Sequence, residues 1–132
     1  MEYQTAFVTI ASVEIEKLVI FYQEILKQSP HPYLPNKYAE FQLKGGLKLG
    51  LFQPKGSHQL EFSQPEKSGI SLCIEVVDLE RSIEQLSALG YPPPGNIVTA
   101  SHGQEIYAYD PDGNRFILHC SKSSVSPNGT II

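Results

Sequence analysis

Basic charge is scarce in this chain. Ten Lys and Arg stand against fourteen Asp and Glu, a formal net charge of -4 over 132 residues. Without a basic surplus there is no field to displace counterions from a phosphate backbone, so no nucleic-acid partner is expected. Cysteine is scarcer still. Cys73 and Cys120 are the only two, too few for a disulfide scaffold. The opening residues lack a basic stretch followed by an apolar run and a small-residue cleavage site. The expectation is a cytoplasmic protein with reduced thiols, whose sequon Asn128-Gly129-Thr130 stays unglycosylated. No run approaches the ~18 apolar residues of a membrane span, so no membrane partner is expected either. What is present, 41% apolar and 18% charged residues, suits one domain with a real core.

Along the chain the apolar pattern changes period several times. Ala6 to Ile10 is β-branched and apolar and predicts a strand. From Glu14 to Lys27, Ile15, Leu18, Val19, Tyr22, Ile25 and Leu26 recur at helical spacing, and Ser29-Pro30 is expected to end that helix. His31 to Asn36 is too rich in proline for more than a short edge strand. Lys37 to Leu43 and Leu47 to Phe52 flank Gly45-Gly46, a hairpin signal that needs positive φ. Lys55 to Ser68 reads as a polar linker. Ile70 to Val76 is a second β-branched strand, and Asp78 is placed to cap a helix over Leu79, Ile83, Leu86 and Leu89 that Gly90 closes. Asn96 to Ala100 is a weak strand. Gln104 to Tyr109 and Arg115 to Cys120 flank Asp110-Pro111-Asp112-Gly113-Asn114, a type I turn with Gly113 in the left-handed position.

The order strand, helix, three strands therefore occurs twice. A shift of 64 positions places Val8 on Leu72, Ile10 on Ile74, Ile15 on Leu79, Glu16 on Glu80 and Lys17 on Arg81. The predicted fold is α+β: two tandem βαβββ modules in one domain over 1–123. Module one is 1–56, the linker 57–65 and module two 66–123, with a tail over 124–132.

The strings FVTIASVEIEKLVIFYQEIL, SLCIEVVDLERSIEQLSALG and YAYDPDGNRFILH, in this order, resemble the vicinal-oxygen-chelate superfamily. Its members include glyoxalase I, extradiol dioxygenases, fosfomycin-resistance enzymes and bleomycin-resistance proteins. The resemblance implies concave sheets enclosing a cavity between the modules, helices outside, and a homodimer. It also implies four metal-ligand places, which here carry Phe7, Gly50, Ser71 and Ile117. Phe, Gly and Ile offer no side-chain donor, and a divalent site needs about three or four. No metal and no other cofactor is therefore expected.

Strand alternation extends these places to whole faces. Thr9 and Ala11 share a face with Phe7, and Lys48 and Phe52 with Gly50. Cys73 and Glu75 share one with Ser71, and Arg115 and His119 with Ile117. The DPDGN turn opposes Tyr107 to Ile117 and Tyr109 to Arg115. Thr9 and Tyr107 also match substrate-facing positions of the fosfomycin-resistance enzymes. The expected ligand-lining set is Thr9, Lys48, Phe52, Cys73, Glu75, Tyr107, Tyr109, Arg115 and His119.

Each has a plainer reading. Glu75 and Arg115 can pair across neighbouring strands, or Glu75 can be a base whose pKa that pairing would lower. His119 is a hydrogen-bonded histidine or a ligand in a displaced site with Cys73 and Glu75. Cys73 reads first as a small buried hydrophobe. Tyr107 and Tyr109 are cross-strand packing or pocket walls. His31, His58 and His102 are expected to be solvated.

Three functions fit: metal-independent binding of a small organic molecule between the modules, an enzyme of lyase, isomerase or dioxygenase type with Glu75 or His119 as acid/base, or an interaction module whose cavity is filled.

Overall fold

A computed structural model describes residues 1–121. The expected tail at 124–132 and its sequon lie outside the described residues. The chain divides into two compact units, the first ending at Pro65 and the second beginning at Glu66.

In the first unit, β1 (Val8–Ala11) leads into α1 (Ile15–Leu26), β2 (Tyr33–Leu34), β3 (Tyr38–Gln42) and β4 (Lys48–Phe52). The sheet order is β1-β4-β3-β2, with β1 and β4 parallel and the other pairs antiparallel. Ile15, Leu18, Val19, Phe21 and Tyr22 of α1 are buried, as are Ala39, Phe41, Leu49 and Leu51. Those four sheet residues share one face by register, since Ala39 opposes Leu51 and Phe41 opposes Leu49. Helix and sheet thus bury one stripe each, which is the source of the core. The helix starts after Ser12, whose hydroxyl accepts the Glu14 N–H at 3.0 Å. It ends at Leu26 because Lys27 turns left-handed (φ 56), a turn earlier than Ser29-Pro30 would stop it. Gly45 and Gly46 take φ of 94 and 95 in the β3–β4 hairpin, the conformation the glycine pair requires.

The stretch read as a linker is ordered. Gly56–Phe62 and Pro65–Lys67 form short 3-10 helices. Their polar sequence carries no apolar period, but backbone bonds such as His58 N–H to Lys55 O at 2.8 Å hold the turns.

The second unit repeats the order as β5 (Leu72–Glu75), α2 (Leu79–Leu89), β6 (Val98–Ala100), β7 (Gly103–Tyr109) and β8 (Arg115–Ser121), in the sheet order β5-β8-β7-β6. β5 begins and ends 64 positions after β1, and α2 begins 64 after α1, as the repeat predicts. Asp78 caps α2 by accepting the Arg81 N–H at 3.0 Å, and Gly90 (φ 96) closes it. Leu79, Leu86, Ile106, Ala108, Phe116 and Leu118 form this unit's core. In the tight turn the Asp110 carboxylate accepts from the Asp112 and Asn114 N–H groups and the Asn114 amide.

The fold is therefore α+β, with two mixed four-stranded sheets. In each unit the buried residues of one sheet face pack on the helix. Among the described residues, no helix is long and apolar enough to cross a membrane.

Candidate functional site on the two open sheet faces

Parity fixes which side chains stand on the faces away from the helices. On the first sheet these are Thr9, Lys48, Gly50 and Phe52, joined by Tyr38, Glu40 and Gln42 of β3. Thr9 is exposed, while Lys48 and Phe52 are half-buried. The Glu40 carboxylate accepts from the Tyr38 hydroxyl at 2.8 Å and the Gln42 amide at 3.0 Å. Burial, and then the bond and charge of Glu40, push the Tyr38 phenol up to about 12. Tyr38 and Glu40 escaped the sequence reading, although the hairpin register that sets Tyr38 opposite Phe52 points to them.

Phe52 also meets Phe62 of the first 3-10 helix edge to face, ring centroids 5.7 Å apart. Phe52, Pro54, Lys55, His58, Glu61 and Phe62 line a cleft of about 380 Å³. His58 and Glu61 pair at 2.8 Å on its rim, both exposed, as the polar sequence around His58 predicts.

On the second sheet, parallel pairing sets Cys73 beside Ile117 and Glu75 beside His119. Antiparallel pairing opposes Glu105 to His119, Tyr107 to Ile117 and Tyr109 to Arg115. Tyr107 is 52% exposed and Tyr109 half-buried. This register corrects the expected Glu75–Arg115 pair, because it separates the two by four residues along β8, ~13 Å at ~3.3 Å per residue. Arg115 instead donates from Nε to the Ser71 hydroxyl at 2.6 Å and from Nη2 to the Ser68 carbonyl at 2.9 Å. Its guanidinium carbon lies 5.9 Å from the Tyr107 ring centroid.

Glu75 is bonded to His119 Nδ1 and accepts the Ser121 hydroxyl at 3.0 Å. His102 is not a free loop histidine, since its Nδ1 lies 2.8 Å from His119 Nε2. Cys73 is exposed rather than buried, because β5 is an edge strand and its outward face is uncovered. Burial by its immediate neighbours raises its thiol pKa, and the charges of Glu75 and Glu105 raise it further. His102, Glu105 and Ser121 were missed by the sequence reading. Only the register of β7 on β8 could have brought in Glu105, and nothing short of the turn geometry would have brought in His102.

The places the resemblance assigns to metal ligands do not fit a metal. Phe7 is an exposed phenyl ring, Ile117 is aliphatic, and a side chain at Gly50 would run into Tyr38. Ser71 is already engaged by Arg115. Among the described residues, no group of three or more His, Cys, Asp or Glu side chains is placed to hold a metal ion.

No family model and no curated protein sequence matches the chain. Solved structures do. A glyoxalase / bleomycin resistance protein from Catenulispora acidiphila is similar at 19% identity and a TM-score of 0.64, over 91% of this chain and 100% of that one. The fosfomycin resistance protein FosX from Listeria monocytogenes is similar at 21% identity and a TM-score of 0.71, over 92% of this chain and 96% of that one. FosX from Mesorhizobium loti gives 20% identity and a TM-score of 0.63, over 92% and 95% of the two chains. The Listeria protein has been solved in complex with Mn(II) and sulfate. At such identities the fold is what is shared: this chain has the fold of these glyoxalase / bleomycin resistance and fosfomycin resistance proteins, and its described residues form no metal-binding cluster.

Proposed function

We propose that the protein binds, without a metal, a small organic molecule with an aromatic body and an anionic end, on the open face of the second sheet. One observation carries this reading. Arg115 is steered by Ser71 and Ser68 so that its guanidinium stands against the half-exposed Tyr107 ring. An arginine with two donors committed to its own chain is pre-oriented, and its remaining N–H groups are available to a carboxylate or phosphonate. Tyr107 offers a ring face beside it, and Cys73 and Ile117 continue the surface along the sheet. An oriented cation beside an aromatic ring supplies the placed polar group and the apolar contact that a ligand site requires.

The test is a thermal-shift screen of aryl carboxylates and aryl phosphonates, with hits measured by calorimetry. A ligand at a hundred times its Kd adds about 2.7 kcal/mol of stability, enough to be seen. Arg115→Ala should weaken a hit at least tenfold and Tyr107→Ala severalfold, with the free proteins' own melting points little changed. Hits that bind both variants as tightly as the parent, or a panel without hits, would overturn the reading. We also propose a homodimer, because among the described residues β1 and β5 each pair on one side only and leave sheet edges to be covered. Sedimentation equilibrium at twice the 14.7 kDa chain mass is the expected result, and a monomer at all concentrations would refute it.

A further inference from the structure

The second sheet also carries a line of four ionisable side chains. Glu75 on β5 bonds His119 Nδ1 on β8. His119 Nε2 and His102 Nδ1 are 2.8 Å apart, and His102 Nε2 lies 3.9 Å from Glu105 Oε1 on β7. The two imidazole centroids are 5.0 Å apart with their planes 25° from parallel. That separation matches the N···N distance plus both ring radii. The nitrogens therefore lie on the line between the rings, and the contact is an edge-to-edge hydrogen bond rather than a face-to-face stack.

The protons of this line can be counted. An ionised carboxylate only accepts, so His119 Nδ1 carries the proton it donates to Glu75. In the neutral ring His119 Nε2 is then an acceptor, and His102 Nδ1 donates to it. This leaves one bare lone pair, on His102 Nε2. The His102 side chain is 58% exposed and that of His119 14%, so the open end of the line is the accessible one. A further proton at His102 Nε2 produces an imidazolium facing Glu105. Its Nδ1–H points at His119, which Glu75 polarises from behind. On the same face Cys73 on β5 stands near Glu75 and Glu105, Ser121 at the end of β8 donates to Glu75, and Arg115, Tyr107 and Tyr109 lie further along the sheet.

We propose that Glu75, His119, His102 and Glu105 form one acid–base unit. Its working end is His102 Nε2, which takes the proton of a weakly acidic C–H or O–H group on an organic molecule laid against this face. In that step the substrate's bond to hydrogen breaks, its electron pair stays on the carbon or oxygen, and an N–H bond forms on His102. Glu105 stabilises the imidazolium, and Glu75 and His119 are positioning residues. The unit lies within the second sheet and does not depend on binding at Arg115.

The test labels the full chain with 15N-histidine and reads the tautomer of each ring in mildly alkaline buffer, where a bare and a protonated ring nitrogen resonate far apart. Both His119 and His102 should carry their proton on Nδ1, with His102 Nε2 bare. Glu75→Gln should shift the tautomer mixture of both rings, although Glu75 does not touch His102, and Arg115→Ala should leave both unchanged. A His102 protonated on Nε2, or one indifferent to Glu75→Gln, would overturn the unit.

Its chemistry is read with 5-nitrobenzisoxazole. When the ring C–H proton is removed from this probe, the C–H electron pair forms the third bond of a nitrile, the N–O bond breaks, and its pair leaves on the oxygen of a coloured phenolate. The protein should exceed an equal concentration of free imidazole, and His102→Gln should abolish the excess. Equal rates for the parent and His102→Gln would overturn the base assignment.

Discussion

The phenol of Tyr38 lies over the Cα of Gly50. A Cβ built on Gly50 would stand 2.9 Å from the Tyr38 hydroxyl oxygen and 3.2 Å from its ring Cε1. The constraint is space, since Gly50 is not among the positive-φ glycines. Moving the Tyr38 phenol aside would strain or break its hydroxyl's bond to Glu40. Gly50→Ala should therefore displace the phenol and cost about 1–3 kcal/mol by overpacking. Urea unfolding measures this. Adding Tyr38→Ala should remove most of the Gly50→Ala penalty, a non-additivity expected of residues in contact.

The same phenol gives a pH signature. Burial and Glu40 raise it from its ordinary 10.0 to about 12, so the folded state holds this proton more tightly than the unfolded chain. The sign follows from linkage. The contribution is intact below pH 10, and it falls as pH rises from 10 towards 12, because the unfolded chain ionises first. Urea midpoints measured across that interval should drop, and Tyr38→Phe should flatten the drop. An equally steep limb in Tyr38→Phe would count against the assignment.

Truncation should separate the two faces of the second sheet. Phe116 and Leu118 are buried against the helix side. Phe116→Ala should cost about 3–5 kcal/mol and Leu118→Ala about 2–5. Leu72 and Ile74 are only half-buried on edge strand β5, so their truncation should cost less. Tyr107→Ala and Arg115→Ala should stay within about 1 kcal/mol, because both stand on the uncovered face. If Tyr107→Ala unfolds the protein while Leu118→Ala is tolerated, the faces are reversed.

How much of this was legible in the sequence depends on which physical signal each feature leaves. The repeat of Val8–Ala11 on Leu72–Glu75 is a pattern of apolar spacing, and the strand bounds follow it residue for residue. Asp78 and Gly90 act through bonds to residues a few positions away, so local chemistry suffices to place them. The opposition of Tyr107 to Ile117 follows from turn length alone. The partners of Glu75 and Arg115 did not follow, because side-chain pairing across strands needs the parallel register of β5 on β8. Charge complementarity alone suggests a salt bridge between these two, whereas that register hands Glu75 to His119 and Arg115 to Ser71. A polar loop predicts a solvated His102, and the side chain is exposed, but its bond to His119 comes from the turn into β7, which the sequence does not reveal.

Elemental analysis tests the reading of the metal-ligand places. Phe7, Gly50 and Ile117 supply no donor, and Ser71 is bonded to Arg115. After exhaustive dialysis the protein should carry well under one divalent ion per chain. Adding Mn(II) or Zn(II) should leave its melting temperature unchanged, since a ligand that binds the native state must raise it. One tightly held ion per chain would refute this.

Cys73 and Cys120 should behave as two different free thiols. Cys73 shares a face with Ile117 by register, so Cys120, three residues further along β8, stands on the opposite face. Side chains on opposite faces diverge, and the bridge geometry is poor. Cys120 donates weakly to the Val77 carbonyl at 3.7 Å, while Cys73 is exposed. Exposure alone would make Cys73 the reactive one, but the thiolate is the nucleophile. Local burial, then the charges of Glu75 and Glu105, hold its pKa above the ordinary value of 9.0. Two thiols should titrate in the unfolded, non-reduced protein. In the native protein, iodoacetamide at neutral pH should modify Cys73 more slowly than a cysteine in an unstructured peptide. Glu75→Gln and Glu105→Gln should each speed that modification by removing a negative charge. A Cys73 that reacts faster than the peptide and is indifferent to both substitutions would mean that the carboxylates do not face it, and the arrangement of this sheet face would have to be redrawn.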